Sequence, residues 1–369
     1  MKKLISLLLV LCMLFALAAC SSTEEKSDAP AEEAASDSYE IALVTDVGNI
    51  DDKSFNEGTW NGVVEYAEAN SKTYAYYRPS EDSTEARVET IGTAIDKGAK
   101  TVVCPGYLFE EAIFQIQDKY PDVNFLLLDG EPHDADYNYK TGANVHCILY
   151  KEEQAGYLAG YAAVKDGYTK LGFLGGMAVP AVIRYGYGFV QGADAAAAEM
   201  GVDVEIKYWY SGSFAPSDDI QVKMSGWYTE GTEIVFACGG GIYLSAVSAA
   251  TSANGKVIGV DVDQYAESDL IVTSAMKELA ASTVLALTSL YENGGSWDAD
   301  HAGVTATLGA AEGCVGLPTA ETSWRLEKYT VAEYEELFQK LVGGEIVVDN
   351  SSDVENPPAT TNTTVDYQG

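Results

Sequence analysis

The sequence predicts an α/β protein of two lobes, each a parallel sheet flanked by helices, with a ligand cleft between the lobes. Three observations carry this. Short apolar runs alternate with helix-like segments, the pattern of βαβ units and parallel sheets. About 310 residues lie between a polar leading segment and a polar tail, room for two lobes of roughly 100–200 residues each. Acids and glycines recur where the apolar runs end, and ligands bind at the carboxyl ends of such strands.

Residues 41–45 (IALVT) read as the first strand and residues 55–69 as the helix after it. Strands follow at 101–104 and 124–128, with a helix at 110–119 between them. A helix at 152–164 leads into a second series, with strands at 170–174, 205–210, 234–237, 256–260 and 270–273. Helices at 189–200 and 243–254 alternate with these strands. The count suits two sheets better than one. The expected division is 39–147 with 262–300 for lobe 1, and 148–261 with 301–348 for lobe 2. Residues 349–369 are polar, carry Pro357-Pro358 and four threonines, and are expected to be a loose tail.

The first residues read as an export signal. Lys2 and Lys3 precede an apolar run from 4 to 17, shorter than the roughly 20 residues of a membrane-spanning helix. Leu17-Ala18-Ala19-Cys20 looks like a bacterial lipobox, with residues 1–19 as signal peptide and Cys20 as the lipidated thiol. Residues 20–38 are rich in Ser, Glu, Ala and Asp without an apolar period, so they serve as a tether. The expected location is the extracytoplasmic face of the cell membrane, held by that lipid anchor alone.

The formal charge is −34; removing residues 1–19 takes away two lysines and no acid, leaving −36. Such a surface disfavours nucleic acid and anionic membrane. Cys104 and Cys238 lie in strand-like runs as small buried thiols, and Cys147 and Cys314 show no pairing spacing. His133, His146 and His301 form no ligand-type cluster, which argues against zinc. No cofactor is expected.

The polar strand ends are Asp46, Gly106, Asp129-Gly130, Gly175-Gly176, Ser213-Phe214, Gly239-Gly240-Gly241, the run from Asp261 to Gln264, and that from Ser274 to Lys277. A single Asp at a strand end is often a helix N-cap. Acids at three separate ends together point to binding.

Five blocks now carry a resemblance. They are the run from Asp46 to Asn56 (DVGNIDDKSFN), Lys151 to Gly160, Leu171 to Met177 with Gly188 to Gly192, Gly259 to Gln264, and Thr273 to Lys277. In this order, over residues 40–345, they resemble the basic membrane protein family, the PnrA-like substrate-binding lipoproteins of ABC transporters. The resemblance implies a type I periplasmic-binding-protein-like fold, a small hydrophilic ligand closed between hinged lobes, and no catalysis. It implies a nucleoside ligand, purine first, and delivery by a monomeric lipoprotein to an ABC permease with a cytoplasmic ATPase.

By the same resemblance, Phe55 and Phe214 would sandwich the base, and Asp46, Ser54 and Asp129 would bond its edge, with Asn56 in the same binding set. Asp261 would accept from ribose hydroxyls, Lys277 would donate to the sugar, and Gly239 would allow close backbone approach. The chain departs from the family after Phe214, where Ala215-Pro216-Ser217-Asp218-Asp219 lacks basic residues. Other readings stay open: a sugar or other polar solute, or a lipoprotein presenting its ligand to a sensor. A calcium-dependent nucleoside hydrolase, with Asp46, Asp51, Asp52 and Asp261 as oxygen ligands, is a third.

Overall fold

The computed structural model describes residues 38–368. The signal peptide, Cys20 and the tether up to residue 37 lie outside the described residues. The chain begins with β1 (Ile41–Val44), α1 (Phe55–Ala69), β2 (Tyr74–Tyr77), α2 (Thr84–Asp96), β3 (Thr101–Pro105), α3 (Glu110–Ile116), β4 (Asn124–Leu128) and β5 (Val145–Tyr150). It continues with α4 (Glu152–Lys165), β6 (Lys170–Gly175), α5 (Pro180–Met200), β7 (Val204–Tyr210), α6 (Asp218–Thr229) and β8 (Ile234–Cys238). Next come α7 (Tyr243–Ala253), β9 (Lys256–Asp261), β10 (Ile271–Lys277), α8 (Leu279–Glu292) and β11 (Thr305–Leu308). The last elements are β12 (Val315–Gly316), α9 (Val331–Val342) and β13 (Thr363–Tyr367).

These strands form two sheets, ordered β11-β5-β4-β3-β1-β2 and β12-β10-β9-β8-β6-β7-β13. Every pairing is parallel except β12 against β10. The central strands β1, β3, β4 and β8 are buried along their whole length, because helices cover both faces. That is why they read as unbroken apolar runs.

The chain passes between sheets three times, after β5, after β10 and after β11. The three crossings touch: Lys151 N–H donates to the Leu308 carbonyl at 2.8 Å, and Ala310 N–H to Gln154 Oε1 at 2.8 Å. Glu278 N–H reaches the Cys314 carbonyl at 2.9 Å. These crossings correct the expected division. β10 lies in the second sheet although 262–300 was assigned to lobe 1, and β11 lies in the first although 301–348 was assigned to lobe 2. β5 stays in the first sheet to Tyr150, past the boundary placed at 147. Alternation marks strands but not the neighbour each one pairs with.

Helices exchange with the strands. α4 follows a strand of the first sheet yet packs on α5, and glycines let the backbones meet. A Cβ at Gly156 would lie 2.1 Å from the Tyr185 carbonyl oxygen, and one at Gly192 would lie 2.0 Å from that of Tyr157. Reciprocally, α8 follows a strand of the second sheet and packs on α1, where Gly58 and Gly62 face Leu279, Ala280 and Thr283. Each lobe is thus completed by a helix from beyond the crossing.

The tail corrects a second expectation. Thr363–Tyr367 is an edge strand in parallel register with β7, not a loose end. Asp194 on α5 accepts the N–H groups of Thr361 and Asn362 ahead of it, and Gln368 receives the Trp227 indole N–H at 3.1 Å. A polar, threonine-rich segment suffices at an edge, because the β7 backbone supplies the hydrogen bonds and only one face must be buried. Among the described residues, no helix is long and apolar enough to cross a membrane. Cys104, Cys147, Cys238 and Cys314 are buried and unpaired.

Candidate functional site

The carboxyl ends of both sheets face a cavity of about 610 Å³, within the usual range for small-molecule sites. Lobe 1 contributes Asp46, Asp52, Phe55, Asn56, Tyr107 and Asp129 to its wall. Lobe 2 contributes Met177, Tyr185, Phe214, Gly239, Asp261 and Lys277. Of the nine ligand-binding residues expected from the sequence, eight line this cavity, and Ser54 does not.

The loop from β1 to α1 builds an acid pair. Asp46 Oδ1 accepts from Gly48 N–H at 2.7 Å and from the Asn56 amide at 2.9 Å, and the same amide donates to Asp52 Oδ2 at 2.8 Å. Both protons of the Asn56 amide are therefore spent on holding carboxylates. Asp52 also accepts from Ser54 N–H at 2.9 Å and Glu57 N–H at 3.0 Å, so it satisfies the exposed N–H groups that open α1. Burial raises the pKa of Asp46, with Asp52 adding to the rise and the Gly48 and Asn56 bonds opposing it.

Strand ends in the two lobes correspond. β3 is followed by Gly106 at φ 113 and β8 by Gly239 at φ 142, conformations open to glycine. β4 is followed by Asp129 at φ 58 and β9 ends in Asp261 at φ 65, left-handed positions that aspartate tolerates better than most residues and that gather at functional sites. Gly239 has a second role. A Cβ there would stand 2.8 Å from Phe214 Cδ1, and one at Gly176 would stand 2.4 Å from it, so the two glycines form the bed of the Phe214 ring.

Lys277 stands at the centre, buried to 3 % exposure. Its ammonium donates to Asp129 Oδ2 and forms an ion pair with Glu152 Oε1 at 3.0 Å, at an angle outside that of a directed hydrogen bond. It also lies 4.9 Å from the centre of the Phe55 ring, 5.2 Å from that of Tyr150 and 5.4 Å from that of Tyr185, within reach of cation–π attraction. Glu152 Oε2 takes the Arg184 Nε–H at 2.6 Å.

Burial opposes the charge of Lys277, but Asp129, Glu152 and Asp261 outweigh it and hold its pKa above the ordinary value. Burial raises Asp129, and Lys277 restrains the rise. Asp261 is raised by burial against the pull of Lys277 and Ser54. Burial also acts on Glu152, but Lys277 and Arg184 overcome it and bring its pKa down. Asp129 Oδ1 is buried without a partner in the protein.

Ser54 is buried and gives its hydroxyl to Asp261 Oδ2 at 2.5 Å, a bond between lobes. The structure therefore places Ser54 behind Asp261, and not on the cavity wall where the sequence reading put it. Sequence reasoning missed Glu152, Arg184, Tyr107 and Tyr185. Glu152 was visible only as a member of an acidic helix start, where a solvated acid is the ordinary expectation. Among the described residues, no group of three or more His, Cys, Asp or Glu is arranged to hold a metal ion.

Next to Glu152, Glu153 is buried with Oε2 unpartnered, and burial, aided by Glu152, pushes its pKa up to about 7. A carboxyl with a raised folded pKa favours the fold fully below its unfolded pKa of 4.5. That favour is lost as pH rises through about 7. Glu153→Gln is therefore expected to stabilise the protein by about 1–3 kcal/mol at pH 8 and by little near pH 4.5. Urea unfolding at the two pH values checks this; an equal effect at both would contradict it.

Two sheets joined by three adjacent crossings, with a cavity lined by carboxylates and aromatic rings between their carboxyl ends, define a two-lobed solute-binding protein. The family model for PnrA-like ABC transporter substrate-binding proteins (Bmp) matches residues 40–352. The chain belongs to this family.

A protein of Listeria innocua named CD4+ T-cell-stimulating antigen is 28% identical over 355 residues, covering 90% of this chain and 94% of that protein. Basic membrane protein A1 of Borrelia garinii is 29% identical over 354 residues, covering 94% and 96%. The ABC transporter nucleoside-binding protein BmpA of Lactococcus lactis is 27% identical over 261 residues, covering 64% and 71%. Among solved structures, an ABC transporter solute-binding protein of Aeropyrum pernix aligns at TM-score 0.72 with 22% identity, covering 86% of this chain and 95% of that one. That likeness bears on the fold, the type I periplasmic-binding-protein-like architecture.

Proposed function

We propose that this substrate-binding protein captures a nucleoside, purine first, and delivers it to an ABC permease with a cytoplasmic ATPase. It does so as a monomer held to the extracytoplasmic face of the membrane through a lipid on Cys20. One observation carries the ligand class: carboxylates from both lobes (Asp46, Asp129 and Asp261) meet two aromatic rings, Phe55 and Phe214, around one cavity. An ionised carboxylate only accepts, so the fitting ligand presents donors on its rim and a flat face for stacking. A nucleoside offers both, with ring or exocyclic N–H groups and a cis-diol. The name of the Lactococcus relative supports the same class.

In this reading Phe55 from lobe 1 and Phe214 from lobe 2 hold the base, Asp46 and Asp129 take its N–H groups, and Asp261 takes the ribose hydroxyls. Asn56 and Ser54 act behind them by fixing Asp46 and Asp261. Lys277 offsets the buried acids and offers an N–H not held by Asp129 to the sugar. No bond is broken, so binding without turnover is expected.

The deciding experiment is titration calorimetry of protein stripped of carried-over ligand. It is titrated with purine and pyrimidine nucleosides, free bases, ribose and common sugars, with and without calcium. Tight nucleoside binding without release of free base supports the proposal. Binding only of sugars, or calcium-dependent release of base, rejects it. Phe214→Ala should weaken all bound nucleosides alike, by about 1–3 kcal/mol, because stacking tolerates any base; a loss confined to one base would contradict the stacking role.

A further inference from the structure

The end of β9 and the turn after it reach into lobe 1 at three places. Asp261 accepts the Ser54 hydroxyl at 2.5 Å. Val262 occupies the space left by a missing side chain on α1, since a Cβ at Gly58 would stand 3.0 Å from Val262 Cγ1. Gln264, buried to 1 % exposure, donates its amide N–H to the Lys53 carbonyl at 2.7 Å.

Gln264 is anchored in its own lobe. Its Oε1 accepts from Val260 N–H at 3.1 Å, and its backbone N–H donates to Ser274 Oγ at 3.1 Å. The carbonyl it grips belongs to a strained residue: Lys53 has φ 54. A non-glycine residue keeps that conformation when its surroundings enforce it. Here Glu57 accepts the Lys53 N–H at 3.0 Å on one side and Gln264 holds the carbonyl on the other. Lys53, Ser54 and Gly58 flank Phe55, whose ring lines the cavity.

We propose that Gln264 is the positioning residue of an interlobe clasp, completed by Val262 and Asp261, that sets how readily the lobes close and where the Phe55 ring stands. The clasp rests on the reading that a solute is enclosed between the lobes. Apparent affinity scales with the fraction of molecules in the binding-competent form. A weakened clasp therefore weakens every ligand by one common factor, and the change falls on dissociation.

Gln264→Glu at pH 8 isolates the cross-cleft bond. The carboxylate still accepts from Val260 N–H, but it has no proton for the Lys53 carbonyl and repels that oxygen. The expected result is a Kd raised roughly tenfold or more, by the same factor for each nucleoside the wild type binds, carried by faster dissociation. Solution scattering without added ligand should show a larger radius of gyration than wild type. Val262→Ala should shift both readouts the same way by less, and it decides the matter if Gln264→Glu does not fold by circular dichroism. An unchanged Kd, a factor that differs between bases, or a change carried by association would overturn the clasp. If the wild type binds no nucleoside, the ligand assignment fails by itself, and equal scattering radii would still overturn the clasp.

Discussion

Lys277→Met is expected to lower the stability of the protein by about 3–5 kcal/mol at pH 8, the usual effect of removing one partner from a buried ion pair. Methionine fills much of the same volume, so the loss reports charge rather than a cavity. Asp129 would be left buried without its cation, Asp261 would lose the positive charge that restrains its pKa, and Glu152 would keep only Arg184. Burial already raises Asp129 and Asp261, and without Lys277 both would rise further. Groups raised in the fold favour it at low pH and disfavour it as pH passes their folded values. The deficit of the variant should therefore shrink on going from pH 8 to pH 5. Nucleoside affinity should fall at least about a hundredfold at pH 8, from the lost donor and from acids that no longer stay ionised. Urea unfolding and calorimetry at both pH values measure these effects; a variant as stable as wild type at pH 8 would remove Lys277 from the centre of the network.

Asp261→Asn is expected to weaken nucleoside binding at least tenfold while the protein stays folded. Asparagine is the informative replacement because it tolerates the left-handed backbone at φ 65, whereas alanine would add backbone strain. It removes the charge that strengthens hydrogen bonds from a diol, each contributing about 1.5–3 kcal/mol when one partner is ionised. It can still accept the Ser54 hydroxyl through its amide oxygen, which keeps the interlobe bond. Ribonucleosides should lose more than their deoxy counterparts if Asp261 reads the sugar hydroxyls. Calorimetry with both series checks this, and an equal loss would assign Asp261 to the base instead.

Much of the cavity was legible in the sequence because its residues sit at strand ends, and strand ends are marked by a change from apolar to polar or glycine residues. Asp46, Asp129, Asp261 and Gly239 all follow buried runs in this way. Phe214 is an aromatic set among Gly212, Ser213, Ala215 and Pro216, a pattern visible in the sequence. Glu152 and Arg184 had no such mark: each is a charged residue on a helix, and only packing shows that one of them is fully buried. Ser54 shows the same limit in reverse. Its place in the motif pointed to the ligand, but its hydroxyl was already claimed by a residue 207 positions away.

By itself, the sequence determined the α/β class, the strands and helices with the clearest periodicity though not β2, α2, β5, α6 or α8, and the polar residues gathered at the strand ends, because these follow from local periodicity and from what each side chain can bury. Only the tertiary structure decided which sheet β10 and β11 join, that the threonine-rich tail becomes a strand, and that Lys277 pairs with Asp129 and Glu152. Those outcomes depend on backbone partners and charges brought together from distant parts of the chain, and no local pattern encodes which partner will be there.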